Sequence, residues 1–204
     1  MTSRGPYTKT AQIREEILSA ALRIIAENGY TGATLQQVAD AVGLSKPGVL
    51  HHFGSRDALF TAVLARRDDE DRRAFTPGDD MVASLIATVR HNATVPGLVA
   101  LYAAFAGIAT TDTTATASRE FLSTRYPVIV GEIARTIRER QAEGEIDAAL
   151  DADALARVMT AASDGLQTQW LIDPQGVDMA ADLEELWALI TSSRVTSSRA
   201  TSDR

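Results

Sequence analysis

The residues best suited to chemistry lie close together in the segment GLSKPGVLHHF at positions 43–53. If this segment forms a short helix, Val49 and Phe53 share one apolar face because they are four residues apart, and they can anchor the helix in the core. The residues left on or near the exposed side are Lys46, Gly48, His51 and His52. An ammonium group and two imidazoles suit phosphate oxygens and base edges, and glycine lets a backbone come close. The segment therefore predicts contact with DNA.

The same segment is a poor metal or catalytic site. His51 and His52 are neighbours, about 100° apart around a helix, so they do not face one ion together. The chain has three histidines and no cysteine, which excludes thiolate ligands and thiol nucleophiles. It also lacks the glycine-rich nucleotide loops, the serine-hydrolase elbow and the paired-histidine zinc motif. We expect no metal, no cofactor and no enzymatic activity, with a helical enzyme as the weaker alternative.

The elements that position this segment are helices. Residues 10–29 predict a long amphipathic helix that ends near Gly29. Thr34 and Gln37 have the spacing of a capping box, which starts a second, short helix. The apolar positions of these two helices are Ile13, Ile17, Ala21 and Ile24, then Leu35, Val38, Ala39 and Val42.

A tight turn joins the second helix to the third. Gly43 permits the turn, Ser45 is a good N-cap, and Pro47 falls in the first turn, where its missing N–H is tolerated. Two short helices joined in this way predict a helix-turn-helix. The backbone N–H groups near Thr34 and Ser45 suit phosphate oxygens.

The rest of the chain is also predicted to be helical. Breakers separate helices at about 55–73, 80–93, 96–110, 117–143, 151–171 and 179–194. The fold class is therefore all-α, with about nine helices. We place a DNA-binding head at 1–56, a larger helical domain at 57–194 and a disordered tail at 195–204.

The charge is distributed unevenly along the chain. Residues 1–56 carry six Lys or Arg and four Asp or Glu, a balance of +2; residues 57–204 carry 14 and 23, a balance of −9. This asymmetry fits a small nucleic-acid-binding head on an acidic body. No signal peptide and no membrane-spanning run of about 18 apolar residues is evident. We expect a cytoplasmic protein.

The segment TLQQVADAVGLSKPGVLHHFGSRDALF at 34–60, with the helix before it, resembles the DNA-binding head of the TetR (tetracycline-repressor) family of bacterial regulators. The resemblance covers residues 10–60, and beyond them only the helical layout and length match. It implies DNA contacts by Thr34, Ser45, Lys46, Pro47, Gly48, His51, His52 and Arg56. It also implies a flexible arm that includes Arg4 and Lys9.

Two positions depart from the family pattern. Leu50 stands where the family usually has a tyrosine that contacts phosphate, and Gly54 stands where a basic residue is common. Because Leu50 has no donor, we expect His51 and His52 to carry more of the contact.

The resemblance also implies a pocket for a small effector among the middle helices. The candidate lining residues are Val89, Leu101, Tyr102, Phe105, Tyr126, Gln167 and Trp170. Arg90, His91, Arg125 and Asp164 are further polar candidates. Aromatic residues at helical spacing are also typical of ordinary core packing.

The last two helices correspond to the family's dimer interface. The candidate residues are Leu155, Met159, Ala162, Leu166, Leu183, Leu186, Trp187 and Ile190. Their spacing predicts apolar faces but does not separate internal packing from contact with a second copy. The resemblance thus implies a homodimeric repressor that an unknown small molecule releases from a palindromic DNA operator. An effector-independent regulator or an activator is the alternative.

Overall fold

The computed structural model describes residues 6–74 and 80–192, and these form nine helices without a strand. The helices are α1 (Pro6–Gly32), α2 (Leu35–Ala41), α3 (Lys46–Phe53), α4 (Arg56–Ala74), α5 (Met81–Asn92), α6 (Leu98–Thr111), α7 (Thr116–Ala142), α8 (Ala152–Ile172) and α9 (Met179–Ser192). The all-α fold class is confirmed. Arg4 and the tail at 195–204 lie outside the described residues.

Most helix boundaries fall within two residues of the predicted ones because their caps are encoded locally. The first helix is longer than predicted, since it begins at Pro6 and is assigned to Gly32. Gly29 interrupts it with a φ of 70° and a ψ of 166°, so the glycine ends the regular helix where the sequence suggested. Within the described ranges no single helix is long and apolar enough to cross a membrane, although the bent pair α6 and α7 meets that test together.

The chain divides into two compact units. The first contains the described residues up to Ala74 together with Ala93–Leu122. The second contains those of Phe75–Asn92 and Ser123–Arg204. This grouping places α4 and α6 with the first three helices, whereas the functional boundary at residue 56 stays a prediction.

The first unit is organised around α1, which packs against α2, α4 and α6. Ile17, Ala21 and Ile24 are buried, as their spacing predicted. Leu59 and Phe60 of α4 are fully buried in the same unit. Burial of this amphipathic face, rather than helix propensity alone, stabilises the arrangement.

Asp57, in the first turn of α4, joins that helix to the start of α7. Its Oδ2 atom accepts hydrogen bonds from the backbone N–H groups of Ala117, at 2.9 Å, and Ser118, at 3.2 Å. These N–H groups belong to the first turn of α7, where a helix has no acceptor of its own. Asp57 therefore caps a helix that lies 60 residues further along the chain.

In the second unit α9 packs against α5 and α8. Arg140 of α7 hydrogen-bonds to Asp80 and Glu145, and its guanidinium lies 5.6 Å from the ring centroid of Trp187. Partial burial opposes ionisation of Asp80, but hydrogen bonds from Arg140 and from backbone N–H groups hold the pKa of this carboxyl below its usual value. The carboxylate is thus kept charged beside its partner.

Gly97, the N-cap of α6, lies directly against the backbone of Ala26 in α1. It has a φ of 80°, and a Cβ at this position would lie 2.7 Å from the Cα of Ala26 and 2.8 Å from its nitrogen. Both the backbone conformation and the space therefore require glycine.

We predict that Gly97→Ala lowers the free energy of unfolding by about 2–4 kcal/mol, from positive-φ strain plus overpacking. Gly107→Ala on the same helix is the control, because a Cβ there meets nothing within 4 Å. It should leave stability unchanged or raise it by up to about 1 kcal/mol. Urea unfolding followed by circular dichroism measures both, and equal effects would contradict the close approach.

Candidate nucleic-acid interface

The α2 helix begins with the predicted capping box, which is confirmed. The hydroxyl of Thr34 accepts from the N–H of Gln37 at 3.2 Å, and Oε1 of Gln37 accepts from the N–H of Thr34 at 2.8 Å. Val38 and Ala39 are fully buried. These contacts fix the start and the inner face of α2.

The turn that follows directs the chain into α3. Gly43 has a φ of 67°, which glycine adopts without steric strain. The N–H of Leu44 donates to the carbonyl of Ala39 at 2.9 Å and ties the turn to α2. Ser45 is the N-cap of α3, and its hydroxyl accepts from the N–H of Gly48 at 3.2 Å. The predicted helix-turn-helix is therefore present.

Only one residue of α3 is fully buried, namely Val49. Phe53, predicted to be a core anchor, is half-buried, and so is Leu50. The ring of Phe53 is covered by an arginine of α1, since the guanidinium of Arg14 lies 4.2 Å from its centroid. The second anchor of α3 is thus an aromatic ring under an arginine.

Seven of the eight predicted DNA-contact residues lie at the start of α2 or along α3. Thr34, Ser45, Lys46, Pro47 and His51 are exposed, whereas Gly48 and His52 are half-buried. We call these seven residues the recognition surface. The rings of His51 and His52 meet edge to face, with centroids 5.8 Å apart. Across the described ranges no group of His, Asp or Glu is arranged to hold a metal ion.

Arg56, the eighth predicted DNA contact, bonds to main-chain carbonyl groups of the protein. Its Nε donates to the carbonyl of Ala33 at 3.2 Å, and a terminal nitrogen donates to the carbonyl of Tyr30. The guanidinium also lies 4.5 Å and 4.6 Å from the ring centroids of Tyr30 and Phe60. Burial raises the pKa of Tyr30 although the Arg56 charge acts against it. Arg56 therefore holds the end of α1 to α4, and its contact with DNA stays a prediction.

Arg14 is a residue that the sequence reasoning missed. One of its terminal nitrogens donates to the carbonyl of His52 in the last turn of α3. A signal existed, because residue 14 is in helical register with the buried residues Leu18, Ala21 and Ile25. An arginine on the apolar face of a helix indicates a side chain that bonds to other groups of the protein.

The candidate pocket residues fall into both units. Leu101, Tyr102 and Phe105 of α6 are buried in the first unit, where Phe105 meets Phe121 edge to face at 5.8 Å. In the second unit Val89 is buried, while Tyr126, Gln167 and Trp170 are half-buried. The hydroxyl of Tyr126 donates to Asp164 at 2.7 Å, and Gln167 donates to the carbonyl of Ser163 at 3.3 Å. Their role as pocket lining stays a prediction.

The candidate dimer residues divide by exposure. Met159, Leu183 and Ile190 are buried within the single chain. The half-buried members are Leu155, Ala162, Leu166, Leu186 and Trp187. The most exposed apolar side chains on these two helices are Val158, Ile172 and Leu189, at 52%, 81% and 59%.

Comparison with known proteins supports the assignment of the N-terminal part. The model of the family described as bacterial regulatory proteins, tetR family, matches residues 17–63. The transcriptional repressor AcnR of Corynebacterium glutamicum is 47% identical over 60 residues, which are 29% of this chain and 31% of that protein. The chain thus matches about a third of the length of its first curated relatives. The predicted resemblance is confirmed for the head.

Solved structures extend the likeness to most of the fold. A candidate TetR-family regulator from Rhodococcus sp. matches 89% of this chain and 100% of its own, with a TM-score of 0.68 and 26% identity. A candidate regulator from Saccharomonospora viridis, solved with choline, matches 90% and 97%, with a TM-score of 0.71 and 24% identity. These relatives are described as transcriptional regulators, not as enzymes.

We predict that Arg56→Lys lowers the free energy of unfolding by about 1–3 kcal/mol, because an ammonium cannot make both carbonyl bonds and also stack on two rings. Arg73→Lys, exposed on the same helix, should change it by no more than about 0.5 kcal/mol. Both variants keep the charge. If thermal and urea unfolding find Arg56→Lys as stable as the control, the inward contacts contribute little.

Proposed function

We propose that this chain, whose residues 17–63 match the model of the tetR family of bacterial regulatory proteins, is a transcriptional regulator that binds double-stranded DNA through α3. The observation that carries the proposal is the exposed side of a capped α3 helix set in a helix-turn-helix. Such a helix enters the major groove with its N-terminal residues towards the base edges. Curated relatives of the head are named as repressors, so repression is the mode that we propose here.

Four residues of the recognition surface have a proposed task. Lys46, at the first position of α3, neutralises a phosphate. His51 and His52 donate to phosphate or base edges, since an imidazole carries an N–H in either neutral tautomer. Gly48 presents no side chain and lets the helix lie close to the DNA.

We propose further that the regulator is a homodimer. The eight residues of α3 span about 12 Å, so a single head reads only a few base pairs. Two heads related by a two-fold axis read a palindrome whose half-sites lie about 34–36 Å apart or at a multiple of that spacing. The exposed apolar side chains of α8 and α9, Val158 and Leu189 above all, are suited to contact with a second copy.

Release from DNA by a small molecule is the last part of the proposal. The structural neighbour from Saccharomonospora viridis was solved with choline, which is an example of this fold with a small ligand. In the present chain Asp57 ties the first turn of α4, which follows the DNA-binding helices, to the first turn of α7. An effector that prefers one position of α7 would change the affinity for DNA through this contact. The expected setting is the cytoplasm, where the DNA is.

The function is tested by selecting bound sequences from a random pool of duplex DNA with the purified protein. We expect enrichment of a palindrome with half-sites about 10 base pairs apart, centre to centre, or a multiple of that number. No enrichment, with weak and salt-sensitive binding only, would contradict sequence-specific regulation.

The phosphate contact proposed for Lys46 is tested with Lys46→Ala, by measuring the binding constants for the enriched duplex and for other sequences at several salt concentrations. Loss of a phosphate contact should weaken binding to all sequences and reduce the slope of log K against log salt by about one per head. Unchanged affinity and slope would show that α3 does not present Lys46 to DNA.

The proposed dimer is tested by introducing a glutamate at two positions, one inside the proposed interface and one outside it. Val158→Glu on α8 should raise the dimer dissociation constant about tenfold or more, because it buries an unpaired carboxylate in the interface. Val128→Glu is the matched control: the side chain is 46% exposed but lies on α7. Light scattering after size-exclusion chromatography over a range of concentrations measures both. Dimers of equal strength would place the interface elsewhere.

A further inference from the structure

Arg14 connects α1 to the C-terminal end of α3. Its terminal nitrogen donates to the carbonyl of His52, and its guanidinium lies 4.2 Å from the ring centroid of Phe53. These two residues are the last two of α3. Arg14 is half-buried, and its contacts point into the head rather than outward from the recognition surface.

The end of α3 needs such a partner. A helix leaves its last carbonyls without intrahelical donors, and a positive charge placed there interacts favourably with the helix dipole. The N–H of Gly54 satisfies the carbonyl of Leu50 at 2.7 Å, whereas the carbonyl of His52 receives its bond from another helix. α1 therefore adds a second contact to the end of α3, beside the glycine C-cap at Gly54.

The orientation of α3 rests on a small number of contacts. Val49 is the one fully buried side chain of α3, and the helix packs on α2 and α4. A tilt of about 10° around the middle of an eight-residue helix moves its ends by about 1 Å. That displacement is enough to break hydrogen bonds to base edges, whose useful range of distance is about 0.5 Å. A long, flexible lysine side chain can follow a phosphate over the same displacement.

We propose that Arg14 is a positioning residue for sequence recognition. It fixes the tilt of α3, and with it the position of His51 and His52, without contacting DNA itself. This role rests on the proposed DNA-binding function. It requires arginine, because one planar guanidinium both covers the ring of Phe53 and donates in its plane to a carbonyl, whereas a lysine ammonium is a point charge on a flexible stem.

The test compares two DNA duplexes: the sequence that the wild-type protein enriches from a random pool, and a shuffled sequence of the same composition. The variants are Arg14→Gln and Arg14→Lys. Arg23→Gln is the control, since Arg23 is exposed on the same helix and pairs with Glu27 at 3.3 Å. Dissociation constants are measured at several salt concentrations, and circular dichroism checks the fold.

We expect Arg14→Gln to weaken binding to the enriched sequence about tenfold or more and to the shuffled sequence less than about twofold. The salt slope for the enriched sequence should stay that of the wild type. Arg14→Lys should also lose discrimination although it keeps the charge. The Arg23→Gln control should retain the wild-type ratio of the two affinities.

Three results would overturn the positioning role. An equal loss on both duplexes with a shallower salt slope would mean that Arg14 contacts phosphate directly. An unchanged ratio of affinities in a folded Arg14→Gln variant would mean that α3 is held without it, and if that variant does not fold, an unchanged ratio in Arg14→Lys decides the same point. If the wild-type protein enriches no sequence, the proposed function fails first and the role of Arg14 falls with it.

Discussion

The α3 helix, with eight residues, is too short to hold its own conformation in water. Isolated helices below about 12–15 residues are marginal even with favourable sequences, and α2, with seven residues, has the same difficulty. The head meets this constraint with caps at the helix starts, from Thr34 and Ser45, and with buried side chains such as Val38 and Val49. Everything proposed for the recognition surface depends on how firmly these contacts hold α3.

The use of positive charge in the head follows from the same constraint. Of the six Lys and Arg residues in 1–56, Arg14 and Arg56 bond to main-chain carbonyls inside the head, and Arg23 pairs with Glu27. Lys46 is the positive charge that α3 itself exposes. In the proposed complex, the share that α3 contributes to the affinity for all DNA sequences then depends on one lysine, since this affinity rises with the number of phosphates neutralised. Discrimination then depends on precise placement of side chains and backbone, which is the role proposed for Arg14.

Local signals in the sequence were sufficient for the helices but not for the contacts between them. The Thr34–Gln37 capping box, the Ser45 cap and the Gly43 turn each act within a few residues, so their pattern predicted the helix-turn-helix correctly. The bonds of Arg14 and Arg56 cross 38 and 26 residues of chain, and no periodicity specifies which carbonyl a long side chain reaches. Apolar spacing has a similar limit on α8, where the adjacent residues Val158 and Met159 are 52% and 0% exposed. Spacing marks an apolar stripe, but which part of it stays uncovered depends on how the neighbouring helix packs.

For a regulator that responds to a ligand, the free energy of the hydrogen bonds that Asp57 accepts matters. Allosteric coupling between two sites is typically about 1–3 kcal/mol, and a hydrogen bond to a charged group contributes about 1.5–3 kcal/mol. The two bonds that Asp57 accepts from the first turn of α7 are therefore of the right order to transmit such a coupling alone. The Oδ1 atom of the same carboxylate is buried without a hydrogen-bond partner in the described part of the chain, so the bonds to α7 are what offset its burial. Moving α7 away would leave the whole carboxylate unpaired. Any such movement then favours a shift of α4 as well, and α4 directly follows α3 in the chain.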